Sequence, residues 1–337
     1  KWISLAAAVI LAVTALPMTA FAAEKDGGEE KLTKVTLNEV AHSIFYAPQY
    51  VAIEEGYFSE EGLDLTLITG FGADKVLTAL ISGEADIGFM GAEASIYAYQ
   101  EGATDPVVNF AQLTQRAGNF LVAREEMPDF KWEYLKGKKV LGGRKGGMPE
   151  MVFEYILKKN GIDPQKDLTI DQSIDFGSTA AAFTGDDSAA YTVEFEPSAT
   201  ILEKEGAGYV VASLGEASGY VPYTSYSAKV SYMEENPEII QKFTNALQKG
   251  MDYVQSHTPE EIAEVIAPQF KETDIETITT IVKRYYDQDT WKENLIFEKD
   301  SFELLQDILE DAGELSQRVN YEALVQTSSA EKASKDK

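Results

Sequence analysis

Histidine and cysteine, the residue types behind most nucleophilic and metal chemistry, are nearly missing here: 337 residues hold two histidines, His42 and His257, and no cysteine. Disulfides, thiolate metal sites, cysteine nucleophiles and iron–sulfur clusters are thereby excluded, and a His-based zinc centre lacks ligands. No Ser/His/Asp or Cys/His grouping is visible. Carboxylates are abundant, with 56 Asp+Glu against 29 Lys+Arg, but abundance does not make an acid/base pair. The expectation is no catalytic residue, no metal and no cofactor. A net charge of −27 also argues against nucleic acid or an anionic membrane surface as partner.

The chemistry that remains is recognition. Seven short stretches mix aromatics, glycines and charges: HSIFY (42–46), GFGAD (70–74), MGAEAS (90–95), TQRAGN (114–119), GGRKGGMP (142–149), DFGST (175–179) and EFEP (194–197). They supply the candidate ligand-binding residues His42, Phe45, Tyr46, Phe71, Asp74, Met90, Glu93, Arg116, Gly146, Gly147, Met148, Glu194, Phe195 and Glu196. Cations are few among them: Arg116, Arg144 and Lys145. A flat heterocycle wants aromatic faces and a carboxylate or amide at its ring edge, whereas a sulfonate or nitrate wants a guanidinium or several N–H donors. The inventory leans towards a nitrogen heterocycle; helix N-termini alone can hold an anion, which keeps the anion as the alternative.

Each candidate also has a plain structural role open to it. His42 beside a strand end could be a satisfied structural histidine, and Phe45 and Tyr46 could be core. GGRKGG lacks the GxxxxGK[ST] order of a phosphate loop and reads as a tight turn with backbone N–H groups available to a ligand. Glu196-Pro197 suits a helix start, and His257 precedes a Thr-Pro cap on the surface.

Something must hold these loops together in space. Segment 35–113 reads as strands alternating with helices, and a second segment repeats it: DLTL at 64–67 returns as DLTI at 167–170, the turn at Gly83 as that at Gly185, and EGA at 101–103 as EGA at 205–207. The offset stays near 103 residues, too long for a solenoid unit, so the pattern implies a duplicated α/β lobe. Open parallel sheets bind ligands at the carboxyl ends of their strands, so two facing lobes would aim these loops at one cleft. The remaining third is helical; in NPEIIQKFTNALQKGMDYV a cap at Asn236 precedes a stripe of Ile240, Phe243, Leu247, Met251 and Val254. At the other end, one Lys, an apolar run from Ile3 to Leu16, Pro17 and Ala20-Phe21-Ala22 have the layout of a secretory signal.

The run FYAPQYVAIEEGYFSEEGLDLTL, then ALISGEADIGFMG, LKGKKVLGG and VEFEP, resembles the solute-binding proteins of ATP-driven (ABC) importers, in the branch that binds sulfonates, taurine and the thiamine pyrimidine precursor. The resemblance spans about residues 33 to 325. It implies a two-lobed periplasmic-binding-protein-like fold of type 2, α/β, each lobe a mostly parallel sheet covered by helices. It also implies a ligand cleft between the lobes, an exported monomer, and delivery of a small molecule to a membrane permease with its ATPase subunits. The expected divisions are signal 1–22, linker 23–34, lobe one 35–116, lobe two 117–218, the return to lobe one 219–325 with its helices packed mainly there, and a disordered tail 326–337. Two presumed pocket positions depart from the family pattern: Phe195 stands where Trp is frequent before Glu-Pro, and Gly146-Gly147-Met148 where Gly-Ser is common. Phe45 and Phe195 are expected to face each other and sandwich a flat ring. Other classes are an extracytoplasmic sensor domain and a pyrimidine-forming enzyme; the related enzymes carry a cysteine-rich iron motif, which this chain lacks.

Overall fold

A computed structural model describes residues 31–335. The expected signal (1–22) and most of the expected linker lie outside the described residues. Ten strands form two five-stranded sheets. The first is built from β1 (Thr33–Glu39), β2 (Leu63–Thr69), β3 (Ile87–Met90) and β4 (Val107–Thr114), the second from β5 (Asn119–Ala123), β6 (Lys139–Leu141), β7 (Thr169–Asp171), β8 (Tyr191–Phe195) and β9 (Tyr209–Ser213). A last strand, β10 (Thr224–Lys229), returns to the first sheet.

The strand orders are β2-β1-β3-β10-β4 and β7-β6-β8-β5-β9, one arrangement used twice. The repeated sequence pairs fall at matching places: DLTL and DLTI run through β2 and β7, Gly83 and Gly185 close the helices Ala73–Ser82 and Phe176–Gly185, and each EGA follows the next helix. Four strands of each sheet share a direction, as expected. The fifth arrives from the other lobe and runs antiparallel to both neighbours, β10 between β3 and β4 and β5 between β8 and β9, so the sheets are mixed.

The chain passes between sheets twice, from β4 to β5 and from β9 to β10. The two passages lie side by side: Val221 N–H donates to the Gln115 carbonyl at 2.9 Å, Arg116 Nη1 to the Gly215 carbonyl at 3.1 Å, and the Arg116 guanidinium stacks 4.3 Å from the Tyr220 ring.

Local sequence accounts for the helices that flank the cleft. Pro149 sits in the first turn of helix Met148–Lys159, whose Val152 and Ile156 are buried, and Gly161 takes φ +69° just beyond its end, a conformation open to glycine. The stripe on helix Pro237–Ser256 is buried throughout and packs on helix Ala47–Glu54 of the first lobe. Thr258 and Glu261 form a reciprocal capping box at the start of helix Pro259–Ile266.

The later helices also engage the second lobe. From helix Ile275–Asp287, Arg284 pairs with Glu196 at 2.8 Å and with Glu203; helix Lys299–Ala312 packs on Met148–Lys159. The expected disordered tail is in fact helix Ser328–Lys335 over most of its length. Ala330 and Ala333, three apart, bury a small apolar stripe against helix Pro237–Ser256, while Gln326 N–H pairs with the Asn109 carbonyl on the outer edge of β4, which residues 290–295 also pair further along. Small residues and charges looked like disorder because the stripe has only two members. Among the described residues no helix is long and apolar enough to cross a membrane.

Candidate ligand site between the lobes

The ends of β1, β3, β6 and β8 and the starts of β5 and β10 meet between the sheets. The loops there touch directly. Ser43 Oγ donates to the Glu196 carbonyl at 3.0 Å and Tyr97 OH to the Gly146 carbonyl at 3.0 Å. Each of these bonds joins one lobe to the other, so the cleft is closed.

Several candidates serve as structure. Both His42 ring nitrogens meet acceptors, Nδ1 at 2.8 Å from Glu39 Oε1 and Nε2 at 2.9 Å from the Gln269 carbonyl, and the ring stacks on Phe270. That pattern favours the doubly protonated ring, and the Glu39 hydrogen bond raises its pKa. The buried Glu39 carboxylate also accepts from Gln49, Tyr50 and Thr69. His42 is thus the counter-charge of a buried acid. Glu196 is held by Thr200 and Arg284. Arg116 is spent on the crossovers, and its buried Nε has no partner.

Phe45 is fully buried, with its ring against Gly118, where an added Cβ would lie 2.6 Å away, and among Tyr46, Tyr223 and Tyr285. Its centroid is 6.3 Å from that of Phe195 at a 46° tilt. Two parallel rings flanking a third need about 7 Å, twice a ~3.5 Å stacking contact, so in this conformation they touch each other and no sandwich exists. Tyr46 meets Phe89 edge-on at 4.5 Å, and Met90 and Met148 are buried beside the loops. Phe71 is 73% exposed with φ +58°, an uncommon conformation for a bulky residue. Asp74, on the same loop, lies 3.9 Å from Arg144, whose Nε is 3.3 Å from Asp175. Gly146 takes φ +82° and presents its carbonyl to Tyr97, and Gly147 caps the following helix.

Eight buried side-chain polar atoms lack a partner among the described residues, and four of them belong to Glu93 (Oε2), Asn119 (Oδ1 and Nδ2) and Tyr223 (OH). Two of these residues lie about Phe45: Asn119 follows Gly118 and pairs in register with Phe195, and the Tyr223 ring stands edge-on to Phe45 at 5.6 Å. Glu93 is near enough for its charge to act on Tyr46 and Tyr223. Burial, with the nearby Tyr46 and Glu93, raises the Tyr223 hydroxyl well above its usual range. Burial also pushes Glu93 up to about 7 and Glu194 up to about 7, the latter against hydrogen bonds from Thr192 and Thr179. An unpartnered buried polar group costs about 1–3 kcal/mol, so a cluster of them is a candidate place for a polar ligand.

Of the cations nearby, Arg144 is engaged with Asp74 and Asp175 and Lys145 with Glu314 at 3.2 Å, while Arg116 bonds the Gly215 carbonyl through Nη1 and has its Nε unpaired. Beside that guanidinium N–H, the orphaned set consists of a carboxylate, a carboxamide and a phenol. Of the residues in it, only Glu93 was singled out from sequence. Asn119 stood inside the quoted TQRAGN stretch without a signal of its own, and Tyr223 is brought in only by the second crossover.

The family model described as NMT1/THI5 like matches residues 44–262. A Bacillus subtilis (strain 168) protein named "Putative binding protein YtlA" is 46% identical over all of this chain and 99% of its own. The 4-amino-5-hydroxymethyl-2-methylpyrimidine phosphate synthase of Aspergillus parasiticus is 26% identical over 62% of this chain and 63% of its own. Among solved structures, the alkanesulfonate-binding protein SsuA from Xanthomonas axonopodis pv. citri, bound to MOPS, superposes with a TM-score of 0.70 at 15% identity, over 88% of this chain and 99% of its own.

Proposed function

The chain belongs to the NMT1/THI5-like family, and from that premise we propose that it is the extracytoplasmic solute-binding component of an ABC importer, taking a small nitrogen heterocycle such as a thiamine pyrimidine precursor. The lobes close on the ligand and the closed form delivers it to a membrane permease. The protein is exported and works without catalysis, cofactor or metal. One observation carries the choice of ligand: the buried Glu93 carboxylate has no partner on Oε2 and Asn119 and Tyr223 are also unpaired, while Arg144 and Lys145 are paired with acids and Arg116, its Nε unpaired, is held at the crossovers. A carboxylate and a carboxamide pair the edge of an aminated ring. The ionised carboxylate repels a sulfonate.

The anion reading rests on the name of the structural neighbour and on the glycine turn at helix Met148–Lys159, whose first N–H groups suit an anion. It is disfavoured because the Glu93 carboxyl, its pKa raised by burial, lies close enough to the Met148 N–H for that group to favour its charge. Mass spectrometry of small molecules released on denaturing gently purified protein, followed by calorimetric titration, decides. Recovery of an unmodified heterocycle and tight binding of 4-amino-5-hydroxymethyl-2-methylpyrimidine supports the proposal; tight binding of taurine with no response to the pyrimidine overturns it.

A further inference from the structure

Glu93 opens helix Glu93–Gln100 directly after β3 and is 3% exposed, and its carboxylate oxygen Oε2 has no partner. Its neighbour Gly91 makes room for that oxygen: a Cβ there would lie 2.0 Å from Oε2, so any other residue would drive the carboxylate away. Burial first, and then neighbouring groups that include the Glu93 charge, raise the pKa values of the Tyr46, Tyr97 and Tyr223 phenols, with Glu39, Glu150 and Glu314 behind them. None of these is a cation. The free oxygen is an acceptor in search of an N–H, in surroundings that offer it no counter-charge.

We propose that Glu93 is the specificity-determining residue of the site, accepting an exocyclic N–H of an aminated ring on Oε2. This rests on the heterocycle reading above and deepens it. A donor on Oε2 favours the ionised carboxylate, and an ionised acceptor makes the stronger bond to the ring. Rings that carry methyl or hydrogen in place of the amino group leave the acceptor buried and unpaired, and sites of this kind discriminate strongly against analogues lacking the donor.

The test is calorimetric titration of wild type, Glu93→Gln and Glu93→Met with 4-amino-5-hydroxymethyl-2-methylpyrimidine and with its counterpart bearing methyl in place of the 4-amino group. We expect wild type to prefer the amino compound by about a hundredfold or more, Glu93→Gln, which keeps a neutral acceptor, to show a smaller preference, and Glu93→Met to show almost none. Melting curves establish that both variants are folded. If wild type binds the two pyrimidines equally, or Glu93→Met keeps the full preference, the role of Glu93 is overturned while the heterocycle reading stands. If wild type binds neither pyrimidine and takes taurine, both fall together.

Discussion

Phe45 occupies the middle of the lobe junction with its own ring, among Tyr223, Tyr285 and Phe195, and its carbonyl accepts from Trp291 Nε1 at 2.9 Å. Truncating a fully buried phenylalanine removes its contacts and leaves a cavity, typically about 3–5 kcal/mol. Phe45→Ala is therefore expected to lower the melting temperature of ligand-free protein markedly. An unchanged melting temperature with lost binding would restore the sandwich. The buried acids make a second prediction. Glu93 and Glu194 are pushed up to about 7 and Glu150, beside Glu154, up to about 8, all by burial first. Between about pH 4.5 and those values the folded chain holds protons that the unfolded chain, with glutamates near about 4.3, has released. Stability must then fall as pH rises through that window. His42 adds the same sign, since a raised imidazole stabilises below its usual value and loses that contribution as pH climbs. The ligand-free protein is expected to melt higher at pH 5.5 than at pH 8, and Glu194→Gln to flatten the slope. A melting temperature that rises with pH over this range would contradict the burial of these groups.

At the scale of elements, the tail helix Ser328–Lys335 packs beside β4, whose outer edge is paired by residues 290–295 and by Gln326. It packs on helix Pro237–Ser256, and Gln241 Nε2 donates to the Ser329 carbonyl at 3.0 Å. Stopping the chain after residue 326 removes two buried alanines and that bond, a loss of about 1–2 kcal/mol from burial of a few methyl-sized groups and one hydrogen bond. We expect a melting temperature lower by a few degrees and ligand affinity unchanged, because the helix stands away from Glu93, Asn119 and Tyr223; a truncated protein that melts at the wild-type temperature would show that the helix contributes nothing. The helices Ile275–Asp287 and Lys299–Ala312 are different in kind. Their partners Glu196, Glu203 and Met148–Lys159 belong to the second lobe, so these contacts must be carried along when the lobes separate.

For the molecule as a whole, two adjacent crossovers and a short set of bonds from lobe to lobe describe a closed form, which is expected to open by rigid-body motion. The bonds are Ser43 to Glu196 and Tyr97 to Gly146, with the exposed Arg144 to Asp74 contact adding little. Small-angle scattering is expected to show a radius of gyration that falls when ligand saturates the protein. An unchanged value at saturation would mean that binding does not close the lobes.

The duplicated α/β lobe was legible in the chain because strand and helix periodicities, glycine stops and proline starts are local, and Gly83 with Gly185 or Val152 with Ile156 can be recognised without neighbours from elsewhere. The loops that converge were legible for the same reason, since each follows a strand. The site was legible only in part. Whether Phe45 stacks on a ligand or fills the core, and whether His42 meets a ligand or balances Glu39, depends on Tyr223, Tyr285 and Gln269, which lie 178 to 240 residues away in sequence for Phe45 and 227 for His42. The same holds for the mixed sheets, which follow from a strand crossing between lobes, and for the orphaned Asn119 and Tyr223. A side chain's type and spacing declare what it can do; which of its polar atoms is left unpaired is settled by the groups that folding brings around it.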